Sequence, residues 1–88
     1  MLNVIAIHPG KEVHRLILEK GMNLSEFARH INVSSSRVSE IVHGKRGITI
    51  DSAIKLADAF DTTPEFWLSK QNAFELSQRA GIASCNSN

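Results

Sequence analysis

Residues 23–44, NLSEFARHINVSSSRVSEIVHG, leave the chain few ways to fold. Apolar side chains fall at Phe27, Ala28 and Ile31, and again at Val38 and Ile41, the spacing of one buried helical face. Between the two runs stands Asn32, one of the few non-glycine residues that tolerate the left-handed backbone of a tight helix–helix turn. Asn23 is placed to cap the first helix, Glu26 to complete a capping box, and Met22 with Phe27 to form a hydrophobic staple. Val33 fills the corner, Ser34 caps the second helix and Gly44 stops it. Ala28 is small enough to let the second helix cross the first closely.

The rest of the chain also reads as helices with short links. Pro9 fits the first turn of a helix with Val13, Leu16 and Ile17 inward, closing at Gly21. Thr49 caps a fourth helix with Ile50, Ala53, Ile54, Ala57 and Phe60 inward, and Asp61 occupies its C-terminal turn. Thr63-Pro64 opens a fifth helix running to about residue 80. Apart from an extended stretch at residues 4–7 there is no strand pattern. The expectation is an all-α, five-helix domain over residues 1–80 with a helix-turn-helix at helices 2 and 3. The Asn/Ser-rich residues 81–88 are expected to form a flexible tail. Eighty-eight residues make one core, near the size where burial only just outweighs chain entropy.

Composition narrows the function. At 42% hydrophobic and 22% charged, the chain suits a soluble globular protein. No apolar run approaches the ~20 residues that span a bilayer, and residues 1–7 lack the charged start and cleavage site of a signal peptide. With the lone Cys85 unable to form an internal disulfide, a cytoplasmic setting without membrane association is expected. His8, His14, His30 and His43 are scattered and read as surface residues, with no metal-ligand spacing among them. No GxSxG, GxGxxG or Walker pattern occurs. Neither catalysis nor a cofactor is expected.

The second short helix points elsewhere. Its outward side chains are Ser35, Ser36, Arg37, Ser39 and Glu40, with Lys45 and Arg46 directly after it. A net charge of +1 argues nothing by itself, but the cations Arg29, Arg37, Lys45 and Arg46 gather here, whereas the acids concentrate over residues 51–75. Small polar and cationic groups at the start of a helix suit the major groove of DNA.

Ala28, Asn32, Val33-Ser34 and Gly44-Lys45 together resemble the helix-turn-helix of the phage-repressor, or xenobiotic-response-element, class, with Asn32 where that class usually has Gly. HPGKEV at residues 8–13, SEIVHGKRGIT at 39–49 and TPEFWLSKQNAFEL at 63–76 resemble the HigA-type antitoxins over residues 8–77. This implies a lambda-repressor-like fold. It also places Ser35, Ser36 and Glu40 at base-reading positions with Arg37 beside them. Arg37 is suited to guanine O6 and N7 or to a phosphate; Glu40 is suited to cytosine N4 or to pairing with Arg37. Asn23, Ser34, His43, Lys45 and Arg46 are placed for phosphates, alongside any capping role.

Phe66, Trp67, Leu68, Ala73, Phe74 and Leu76 do not fit one narrow stripe of the fifth helix. Phe66 is read as core; Trp67, Phe74 and Leu76 are read as a homodimer interface. A two-fold dimer sets recognition helices about 34 Å apart on a palindromic operator. The resemblance implies a type II antitoxin that represses its own operon and neutralises a HigB-like mRNA-cleaving toxin. The alternatives are a stand-alone phage-type repressor and an interaction module that no longer binds DNA.

Overall fold

The computed structural model describes residues 7–86, with side chains described for residues 7–79. It contains α1 (Pro9–Glu19), α2 (Leu24–Ile31), α3 (Ser35–Val42), α4 (Ile50–Phe60) and α5 (Pro64–Asn86), with no strand among the described residues. The chain is all-α.

Local chemistry explains each boundary. His8 caps α1, its Nδ1 accepting from the Gly10 N–H at 2.9 Å, and Pro9 takes the first helical position. Asn23 Oδ1 accepts from Glu26 N–H at 2.8 Å while Glu26 Oε1 accepts from Asn23 N–H at 2.9 Å, a complete capping box. Thr49 caps α4 and Thr63 caps α5 through their hydroxyls. The turns after α2 and α4 are left-handed at Asn32 (φ 61°) and Asp61 (φ 57°). Short polar side chains that bond locally make this conformation accessible to non-glycine residues.

The core joins Val13 and Ile17 of α1, Phe27 and Ala28 of α2, Val38, Ile41 and Val42 of α3, and Ala53, Leu56 and Ala57 of α4. Trp67 closes it from α5, as Ile48 does from the loop before α4. Phe27 and Phe60 stack at 5.0 Å between centroids, and Trp67 lies against Phe60 at 6.0 Å. Gly10 lets α1 meet α3: a Cβ there would stand 1.9 Å from the Ile41 carbonyl oxygen.

Several expectations need correction. Trp67 is not an interface residue; it is fully buried, and its indole Nε1–H donates to Thr62 Oγ1 at 2.8 Å. The polar tip therefore has a partner inside the domain, so nothing opposes complete burial of the ring. Phe66 is 38% exposed rather than core, because the adjacent Trp67 takes the inward direction. Ile50 and Ile54 point outward at 68% and 53% exposure, since Ala53, Leu56 and Ala57 form the packed stripe of α4. Helix α5 continues to Asn86 instead of ending near residue 80, no proline intervening after Pro64. The expected extended residues 4–6, and the side chain of Cys85, lie outside the described residues.

Candidate nucleic-acid interface

The helix-turn-helix corner presents the N-terminal turn of α3 to solvent. Ser34 sits outside the helix with its hydroxyl accepting from Arg37 N–H at 3.2 Å, and Ser35 and Ser36 are exposed beside it. Val38, Ile41 and Val42 anchor the opposite side of α3 in the core. The corner therefore fixes which residues face outward, and the outward ones are hydroxyls and charges.

Arg37 does not stand free. Its Nη2 donates to Ser52 Oγ at 3.2 Å and lies 3.6 Å from Asp51 Oδ2, both in the first turn of α4. Ser52 is itself buried and shares a hydrogen bond of 3.1 Å with Thr49 Oγ1. The guanidinium is thus drawn back along the domain toward α4. The hold is light: Asp51 is exposed, and the buried Nε of Arg37 has no hydrogen-bond partner among the described residues. An unpartnered N–H favours a move that would satisfy it.

Glu40 does not pair with Arg37. It accepts from Arg46 Nε at 2.8 Å, because the turn at Gly44 (φ 75°) brings the chain back past the end of α3. His43 is exposed with Nδ1 at 2.7 Å from the Ser39 carbonyl oxygen, which assigns the proton to Nδ1 and leaves Nε2 facing away from that bond. Lys45 and Arg46 are exposed on the same turn, and Asn23 is exposed at the start of α2. The residues expected at a dimer interface separate: Leu76 is 68% exposed, whereas Phe74 is half-buried and meets the His8 ring edge-on at 4.8 Å.

His8 also departs from its surface reading. It is half-buried, and desolvation lowers its pKa, opposed by a hydrogen bond to the Arg46 backbone. One neutral imidazole thereby ties the start of α1 to the loop after α3. Its position immediately before Pro9 was the available signal. Gln71 was missed as well; it is buried, accepts from Ile48 N–H at 2.9 Å and donates to Glu75 at 3.0 Å. Its place one turn after Trp67, on the inward side of α5, was the signal. Asp51 and Ser52 had none, since their partner lies on another helix. Among the described residues no group of His, Cys, Asp or Glu side chains is arranged to hold a metal ion, and no helix is long and apolar enough to cross a membrane.

A helix-turn-helix family profile matches residues 13–67. Virulence-associated protein A′ of Dichelobacter nodosus is 42% identical over 72 residues, which cover 81% of this chain and 63% of that protein, so the chain spans less than two thirds of its relative's length. A HigA-family addiction-module antidote protein from Coxiella burnetii has the same fold, with a TM-score of 0.85 at 34% identity over 94% of this chain and 91% of that one. The Pseudomonas aeruginosa antitoxin HigA, solved with the higBA promoter, superimposes with a TM-score of 0.86 at 31% identity, covering 94% of this chain and 91% of its own. The chain belongs to the xenobiotic-response-element-type helix-turn-helix family, among the homologues of the HigA antitoxins.

Proposed function

We propose that this chain is the DNA-binding antitoxin of a toxin–antitoxin pair: it binds an operator in its own promoter as a homodimer and holds a HigB-like mRNA-cleaving toxin. The observation that carries the DNA half is the exposed first turn of α3, anchored from behind by Val38 and Ile41, with Lys45 and Arg46 exposed just beyond the other end of the helix. The likeness to an antitoxin solved with promoter DNA supports the same reading, and likeness to HigA proteins supports the toxin half.

In this reading Ser35 and Ser36 lie against base edges in the major groove. Glu40, neutralised on one side by Arg46, accepts from cytosine N4 with its second oxygen. Arg37 leaves Ser52 for guanine or a phosphate, a move that gives its Nε a partner. Asn23, Ser34, His43, Lys45 and Arg46 bind phosphates. The dimer seam runs along the outer side of α5, where Phe66, Ser69, Ala73 and Leu76 are all exposed at a spacing near half a heptad. Phe74 contributes from its edge.

The test is a titration of labelled promoter and random duplexes at several salt concentrations, with co-expression of the neighbouring reading frame. Promoter binding well above random binding, and a co-purifying toxin, are expected. Equal affinity for both duplexes would remove the regulatory reading; promoter binding with no captured toxin would leave a stand-alone repressor. Within the same assay Arg37→Ala should cost about 1–3 kcal/mol on the operator if the side chain reads a base. An equal loss on random DNA makes it a phosphate contact.

A further inference from the structure

Beyond the helix-turn-helix, a cleft of about 630 Å³ lies between the turn after α3 and the outer half of α5. Lys45, Arg46 and Arg79 line it, together with the half-buried rings of His8 and Phe74. Arg79 is exposed and belongs to no part of the recognition motif, yet the fold brings it to the same cleft as the two cations that follow the recognition helix. Glu75 is the carboxylate in the lining, and its oxygen already accepts from Gln71 Nε2 at 3.0 Å. Glu40, nearby on α3, is engaged by Arg46. His8 adds no positive charge near neutral pH, because burial lowers its pKa. The lining therefore holds three cations and one carboxylate, with Glu40 offsetting Arg46 at its edge, so Lys45 and Arg79 carry its excess positive charge.

We infer that this cleft is a second DNA-backbone site, in which Arg79 of α5 joins Lys45 and Arg46 in holding phosphates beyond the recognition helix. The inference rests on the DNA-binding reading above. Duplex DNA carries one negative charge for about every 1.7 Å of its axis, so a strand leaving the end of α3 presents phosphates along the whole cleft. Arg79 is the residue that extends the footprint from the motif onto α5. Its role is sequence-independent: it adds affinity and salt dependence without choosing bases.

The experiment measures operator and random-duplex affinity against salt for the wild-type full chain, Arg79→Gln and Arg79→Lys, with thermal unfolding and sedimentation at the same protein concentrations. Removing one cation from a phosphate reduces the slope of log affinity against log salt by about 0.9. The expected result for Arg79→Gln is that reduction for each protomer bound, with the same fold-loss on both duplexes, while Arg79→Lys restores the wild-type slope. An unchanged slope in Arg79→Gln overturns the inference, as does a slope change that coincides with loss of the dimer or of the fold. If the wild-type chain binds neither duplex, the DNA-binding reading itself fails, an outcome distinct from an Arg79 variant that binds as the wild type does.

Discussion

Helices α3 and α5 solve opposite problems. On α3 the outward groups find partners close in sequence: Ser34 with the Arg37 amide, His43 with the Ser39 carbonyl, Glu40 with Arg46. Arg37 is the exception, reaching Ser52 and Asp51 on α4, and Val38, Ile41 and Val42 hold the face from behind. On α5 apolar side chains face different ways within a few residues, with Trp67 fully buried, Phe66 38% exposed and Leu76 68% exposed. Most of the polar face of α3 is thus specified by short-range chemistry, whereas a helix serving both core and surface is sorted only by what packs against it.

The sharpest way to break that contrast is Trp67→Ala. A buried aromatic truncated to alanine costs about 3–5 kcal/mol, and here it also leaves the Thr62 hydroxyl without its indole donor. Urea unfolding should show the loss directly, as a fall in midpoint. A variant that keeps its midpoint but sediments as a monomer would reverse the assignment and put Trp67 at the seam.

How much could be read beforehand follows from the same contrast. The caps at Asn23, Ser34 and Thr49, the left-handed turn at Asn32 and the inward set Phe27, Ala28, Val38 and Ile41 were legible, because each depends on neighbours within four residues. Trp67 and Phe66 were exchanged because period alone does not say which of two adjacent aromatics meets the core. Ile50 and Ile54 were placed inward for the same reason: α4 is apolar on more than one side, and the small Ala53 and Ala57 win the packed side by allowing close approach. In the candidate site the residue types were legible but their pairing was not. The tie from Arg37 to Asp51 and Ser52 spans two helices, and the Glu40–Arg46 pair depends on the turn at Gly44.

A smaller effect tests the link between the two regions. His8 accepts from Gly10 N–H, bonds the Arg46 backbone and meets Phe74 on α5, so it joins the start of α1 to both. Protonation puts a hydrogen on the Nδ1 that must accept, which removes the cap. Burial is the main cause of the lowered folded-state pKa, so the unfolded chain takes the proton first as pH falls. The stability His8 contributes is therefore complete above the ordinary imidazole value of about 6.5 and is lost as pH drops from there through the folded value. Unfolding measured between neutral and mildly acidic pH should show this decline. His8→Asn, which caps without titrating, should flatten it; an equally steep decline in that variant would assign the pH dependence to other groups.

The smallest stability effect is expected at Leu76, and it is the most discriminating for α5. A substitution on an exposed position changes folding stability by no more than about 0.5 kcal/mol, so Leu76→Ser should leave the monomer's unfolding almost untouched. If the outer stripe with Phe66 and Ala73 is the seam, the same change should weaken self-association and operator binding together, since a two-fold dimer couples its two recognition helices through that seam. Half-site binding should stay as it was. Sedimentation and operator titration on one preparation separate the outcomes. Loss of dimer with an intact fold assigns the exposed side of α5 to the partner protomer. An unchanged dimer removes that stripe from the interface and directs the search to another exposed apolar pair, Ile50 and Ile54 on α4.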